Sequence, residues 1–347
     1  MRILLLLSGY TCKRVPWGFG DKGTPEKNNM SDFFDGSNYL KKLLINHEVK
    51  TICGLWNDIG LEEVNTIYNP EICISSSQEE LQEKLKLIFG DYESKRIKKR
   101  DAWLKKKNIK NNLVSSSFRI ASQLYSRQIV IKEAIEFINK TSYNPDIIIL
   151  TRYDISCRGG AYIRNPVRIS PSIYKFLNSE NSFPKVILPL FNQLNAGMPD
   201  MWFYLNTKAL YKMRFIYDEY INVITSKDSK YKKLLTEGWP FSEYFDLLDT
   251  NDIRQFSNIL VTNKKNYRLM QYHDWELPNI HAFLKYFFLL NETDFKLKFI
   301  SRKKSILSMF LFANYKNILL LGFKELFSGI KSKFIYMFRK KTITLFL

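Results

Sequence analysis

The chain is poor in the residues from which most recognisable active sites are built. Its 347 residues include three histidines, His47, His273 and His281, and four cysteines, Cys12, Cys53, Cys73 and Cys157. The cysteines are scattered, with no Cys-x-x-Cys pair and no flanking histidine, which argues against a zinc site. Apolar neighbours around Cys53 and Cys73 point instead to buried thiols in a reducing compartment. The histidines lack His-Glu-x-x-His spacing. No Gly-x-x-x-x-Gly-Lys-Ser/Thr loop occurs, the one Gly-x-Gly-x-x-Gly, Gly18 to Gly23, begins ten residues after the first strand and not in the turn that closes it, and no Gly-x-Ser-x-Gly elbow is present. A P-loop NTPase, a simple Rossmann dehydrogenase and a zincin are thereby set aside. Long apolar runs are missing too. Ile3 to Leu7 is too short for an export signal and precedes no small-residue cleavage site, so it reads as a core strand. Acidic residues are scarce: 34 Asp and Glu against 53 Lys and Arg, a net charge of +19.

What the chain does have is alternation. Arg2–Ser8 reads as a strand, Phe33–Ile45 as a helix and Val49–Trp56 as a strand. Glu71–Ser75 and the helix Gln78–Phe89 follow, then a polar, lysine-rich excursion over Glu93–Asn112. A helix from Phe118 to Asn139 carries Ala121, Leu124, Ile131, Ala134, Ile135 and Ile138 at helical spacing. It leads into Asn144-Pro145-Asp146, a turn signal that launches the apolar run Ile147–Leu150. Further on, Val186–Leu190 and Met201–Leu205 read as strands, Lys208–Val223 as one helix, and Ser242–Leu248 as another after Gly238-Trp239-Pro240. Strands alternating with helices predict an α/β fold with a mostly parallel central sheet flanked by helices on both faces. Residues 1–294 read as one compact unit.

Residues 295–347 differ from the rest. From Lys296 onward twelve Lys and Arg face one acid, Glu325, so this last seventh of the chain holds +11 of the +19. Its cations alternate with Phe310, Phe312, Leu319, Leu321, Phe323, Phe334 and Phe338, and Lys316 interrupts the longest apolar region. No clean stretch of about 18 apolar residues is available to span a bilayer. A basic, aromatic-rich amphipathic tail suits an anionic membrane surface, where each cation contributes on the order of 1 kcal/mol. Nucleic acid is a weaker fit, because arms that neutralise phosphates carry fewer large aliphatics. A solvated helical cap would leave those Phe and Leu side chains exposed.

Candidate polar groups gather at strand ends. The run Ile147–Leu150 is what a strand buried on both faces looks like, and it closes on Arg152 and Asp154. Ligands of open α/β sheets bind outside the carboxyl ends of the strands, so this pair is either a substrate clamp or an ordinary loop pair. Ser8-Gly9, with Lys13 and Arg14 behind it, offers backbone amides and cations to a diphosphate. In the long helix, Ser122 and Ser126 lie one turn apart with Gln123 and Arg127 alongside. A ligand-facing stripe and a solvated face fit that pattern equally. Asp200 enters an aromatic strand, and Glu243 follows a potential N-cap serine, where a carboxylate is often structural. A carboxylate among aromatics has a raised pKa and can act as a base. His273-Asp274 is a further pair, read as a loop contact.

Taken in order, Ser8, Gly9 and Arg14, then Ser122, Gln123 and Arg127, then Arg152-x-Asp154, Asp200 and Glu243 resemble the motifs of bacterial glycosyltransferases that build capsule and lipopolysaccharide. The resemblance spans roughly Met1 to Ile253 and implies a GT-A-like fold and a nucleotide-diphosphate sugar donor. It further implies a growing glycan or lipid-linked glycan as acceptor, and work at the inner, cytoplasmic face of the membrane. Such enzymes usually end the equivalent strand in Asp-x-Asp, which holds a divalent cation. Here Arg152 stands in the first acidic place, so Asp154 with Mg²⁺ or Mn²⁺ and a metal-free site are both open. The resemblance assigns donor binding to Ser8, Gly9, Arg14, Ser122, Gln123, Arg127, Arg152 and Asp154. Arg152 with Arg14 is expected to stabilise the leaving group, Asp200 to be the base, and Glu243 to be a second choice for the base or an acceptor ligand. The insert Val15–Met30 departs from the pattern. Two alternatives stand beside this reading: a sugar-phosphate or polyol-phosphate transferase of cell-envelope polymers, and a non-enzymatic membrane- or nucleic-acid-binding module.

Overall fold

In a computed structural model the described residues are 1–11, 30–88, 117–153, 155, 166–179, 183–189, 201–225, 280–289 and 295–300. They form a seven-stranded α/β sheet with helices on both faces. Strand β1 is Arg2–Ser8, β2 Glu48–Trp56, β3 Ile72–Ser76, β4 Ile147–Arg152, β5 Lys185–Pro189, β6 Trp202–Leu205 and β7 Lys296–Ile300. The spatial order is β3-β2-β1-β4-β6-β5-β7. All neighbours are parallel except β6, which is antiparallel to both β4 and β5. The helices are α1 (Ser31–Leu44), α2 (Leu61–Tyr68), α3 (78–88), α4 (Ser117–Thr141), α5 (Pro171–Asn178), α6 (Thr207–Met213), α7 (Ile216–Thr225) and α8 (Ile280–Leu289).

The central strands carry apolar residues at every position because both faces are covered. Successive side chains of a strand point to opposite faces. Leu4, Leu6, Ile52, Ile148 and Leu150 therefore join one core with Ile120, Leu124 and Ile131 of α4, Leu210 of α6, Tyr220 of α7 and Phe283 of α8. Ile3, Leu5, Leu7, Ile147 and Ile149 join the other core with Phe33, Leu40 and Leu43 of α1, Val64 of α2 and Ile173 of α5.

Local chemistry explains several boundaries. Ser170 caps α5, accepting from Ile173 N, with Pro171 in the first turn. Asn206 caps α6: its Oδ1 accepts from Ala209 N and from Lys185 N, both at 2.9 Å, which ties the helix start to β5. The single helix expected over Lys208–Val223 is two, α6 and α7, separated at Arg214–Phe215. Leu210, Met213, Ile216 and Tyr220 keep one buried rhythm through that break, which is why the sequence reads as continuous. Lys296–Ile300, expected as the start of the basic tail, pairs with β5 as an edge strand. The excursion Glu93–Asn112, the helix Ser242–Leu248 and the tail beyond Ile300 lie outside the described residues. Among the described residues no helix is long and apolar enough to cross a membrane.

Candidate functional site

Going outward from β1, the chain first visits β2 and β3 on one side and then crosses to β4 on the other. The crevice at such a change of direction, outside the carboxyl ends of the strands, is where open α/β sheets bind ligands. The last residues of the two flanking strands are Ser8 and Arg152, and they are register partners. Ser8 continues the face of Leu4 and Leu6, and Arg152 the face of Leu150, so both belong to the side covered by α4. The next residue, Gly9, has φ +113°, a conformation that side-chain-bearing residues rarely adopt, and among the described residues no atom lies within 4 Å of where its Cβ would be.

Helix α4 brings polar groups beneath this rim. Ser122 and Ser126 are buried, and Arg127 is 1 % exposed with its guanidinium carbon 5.6 Å from the Phe203 ring centre. The solvated-face alternative for this stripe is thus ruled out: the serines and the arginine sit on the inner side of the helix, and Gln123 at its edge is half-buried. Ser126 Oγ donates to Gln123 O at 3.1 Å. Close approach is helped by Gly54, the neighbour of Ser8 on β2, where a Cβ would meet Val130 at 3.2 Å. Stacking of Tyr125 on Trp56 sets the amino-terminal half of α4 beside the carboxyl end of β2.

Aromatic residues wall one flank. Tyr10 stacks on Trp56 at 6.3 Å, Trp56 on Tyr125 at 6.0 Å, and Tyr125 meets Tyr217 edge-on at 5.2 Å. Burial, then Tyr125 and Asp218, push the Tyr217 phenol up to about 12, so it stays neutral. The chain leaving β1 is pinned by Thr11, whose hydroxyl donates to Ile59 O at 2.7 Å. Beyond β2 three residues hold positive φ: Asn57 (53°), Asp58 (54°) and Gly60 (78°). Asn57 is held by Glu79, to which its amide donates at 3.0 Å, and by Gln78 N, which donates to its carbonyl at 2.9 Å. Backbone strain of this kind clusters at ligand sites. Tyr10, Asn57 and Asp58 carry no motif in the sequence; the signal that marks them is position, immediately after β1 and β2.

The structure thus pairs Ser8 with Arg152 at the strand ends, with Gly9 next in the chain, and places Ser122, Gln123 and Arg127 on the helix that covers that side of the sheet. Arg14, Asp154, Asp200, Glu243 and His273-Asp274 lie outside the described residues. Three of their neighbours are informative. Tyr153 and Ile155 flank Asp154 and are both buried. Met201, next to Asp200, accepts a hydrogen bond from the Thr151 hydroxyl at 3.2 Å, so the antiparallel β6 starts where β4 ends. Among the described residues no group of three or more His, Cys, Asp or Glu could hold a metal ion. The Cys53 thiol is pushed up to about 12 by burial and is not a nucleophile at neutral pH. Comparison of the chain with protein-family models, curated proteins and solved structures returns no match.

Proposed function

We propose that the protein is a GT-A-like glycosyltransferase that moves a sugar from a nucleotide-diphosphate donor to a growing capsule or lipopolysaccharide glycan at the inner face of the membrane. One observation carries the reading: Ser8 and Arg152 stand side by side at the switch point of the sheet, over the buried Ser122, Ser126 and Arg127 of α4. A rim that joins the backbone amides around Gly9 to a guanidinium has the chemistry to bind a diphosphate.

Glycosyl transfer passes through an oxocarbenium-like state as the diphosphate departs. Arg152, assisted by Arg14, neutralises the leaving group through paired N–H donors, and the amides around Ser8–Gly9 receive the phosphate oxygens. Asp200, two residues before β6 in sequence, removes the proton of the acceptor hydroxyl; Glu243 is the second choice for that proton or holds the hydroxyl. Asp154 is the residue that would hold Mg²⁺ or Mn²⁺, and the chemistry such an ion supplies is further neutralisation of the diphosphate. The basic segment after Ile300 keeps the enzyme on an anionic membrane surface, near a lipid-linked acceptor.

The test is a thermal-shift panel of UDP-, GDP-, CMP- and dTDP-sugars, with and without Mg²⁺. A ligand of the native state raises the melting temperature by mass action. One nucleotide class is expected to do so, and Arg152→Ala is expected to remove the shift, with added Mg²⁺ failing to restore it. A flat response across the panel refutes the reading. In turnover assays with donor and acceptor saturating, Asp200→Asn is expected to lower kcat by about 10²- to 10⁴-fold, the usual contribution of a general base. Near-normal turnover would transfer the role to Glu243.

A further inference from the structure

Helix α1 grips the chain that leaves β4. A Cβ added to Gly36 would lie 2.4 Å from Ile155 O and 2.9 Å from Tyr153 O, closer than real Cβ atoms come to backbone. Gly36 is not a positive-φ glycine, so what it supplies is room. It supplies that room inside a helix, where glycine costs about 1 kcal/mol relative to alanine. One turn along, Tyr39 donates from its buried hydroxyl to Pro166 O at 2.6 Å, and Tyr204 of β6 donates to Val167 O. Both ends of the connection from β4 to α5 are therefore held by buried groups, and α1 supplies one at each end. Tyr153 is itself fully buried against Phe33 of α1, at 5.9 Å, and Tyr68 of α2, at 6.5 Å. With Tyr153 sunk on the α1 side, the alternation of the chain turns Arg152 to the α4 side.

We propose that Gly36 and Tyr39 are positioning residues that set the height and direction of Arg152 at the rim; this rests on the donor-diphosphate reading of Arg152. Gly36→Ala needs a shift of about 1 Å to bring its Cβ to ordinary contact distance from the Ile155 carbonyl. Misplacing a binding group by that much costs about 100-fold in a reaction that depends on alignment. Alanine is the better helix former, so the substitution does not weaken α1 through propensity. Tyr39→Phe keeps the ring and removes the donor to Pro166.

The experiment titrates the full chain and its Gly36→Ala, Tyr39→Phe and Ser37→Ala forms with UDP- and GDP-sugars by calorimetry, well below their melting temperatures. Ser37 lies between the two residues, and its hydroxyl donates only to Phe34 O within the same helix. Gly36→Ala is expected to weaken donor binding about 10- to 100-fold, as loss of one charge-assisted hydrogen bond does, and Tyr39→Phe several-fold, while Ser37→Ala matches the natural chain. If Gly36→Ala and Tyr39→Phe lower only the melting temperature and bind the donor as the natural chain does, their role is structural and the proposal fails. If the natural chain binds no nucleotide sugar, the donor reading fails and takes the proposal with it.

Discussion

Gly9 and Gly60 are glycines for different reasons, and the difference can be measured. At Gly9 only the backbone angle excludes other residues, since among the described residues the space around it is open; at Gly60 a Cβ would also strike Thr11 Oγ1 at 2.5 Å. Gly9→Ala is expected to cost about 1–3 kcal/mol of stability, the range for one strained residue, and Gly60→Ala more, as read by denaturant unfolding. The two described cysteines make a second contrast. Cys53 and Cys73 are register partners on β2 and β3, the first fully buried and the second half-buried. Burial raises both thiols, Cys53 to about 12. A raised thiol pKa leaves less thiolate at any lower pH, for Cys53 about one part in 10⁴ at pH 8. Alkylation at pH 8, followed peptide by peptide in mass spectra, is expected to label Cys73 slowly and Cys53 only after unfolding. Equal rates would mean that the β2–β3 edge opens readily.

The β4 end was readable in the sequence because a run buried on both faces has one signature: unbroken Ile and Leu stopped by charge. The same logic made β1 and β2 legible, β1 to the residue. What escaped was short or lacked contrast. Helix α2 has eight residues, and α8, Ile-His-Ala-Phe-Leu-Lys-Tyr-Phe-Phe-Leu, is too apolar to show one face. Helix α5, also eight residues, went unread although Ser170 before Pro171 forms an N-cap and first-turn pair. Gly36 was illegible for a physical reason: a glycine kept for room leaves no trace in spacing. The convergence of Ser8, Arg152 and the inner stripe of α4 depends on pairing across the sheet, which no local pattern encodes. Asn206 is the cap that joins elements, because one carbonyl receives the first turn of α6 and the edge of β5. Asn206→Ala is expected to destabilise the protein by about 1–2 kcal/mol or more in chemical denaturation, a cap loss plus an unsatisfied β5 amide.

At the scale of the whole chain, the sheet takes in residues that composition alone groups with the basic tail. Phe295, Leu297 and Ile300 are buried, and Lys296 N donates to Pro184 O at 2.8 Å. A chain ending at Asp294 therefore loses an edge strand as well as the tail, whereas one ending at Ile300 keeps the sheet. The longer truncation product is expected to melt close to the full chain and to lose pelleting with anionic liposomes. The shorter one is expected to melt several degrees lower. If the chain ending at Ile300 still pellets, membrane contact belongs to the folded domain. Finally, Ser8 and Arg152 lie 144 positions apart in sequence and meet only through the β1–β4 ladder. Pairing so distant closes late and slowly, since loop-closure entropy is spent before the contact is gained. The rim therefore has no existence in a partly folded chain, and under the proposed function regain of nucleotide binding during refolding becomes a clock for the moment the centre of the sheet is joined.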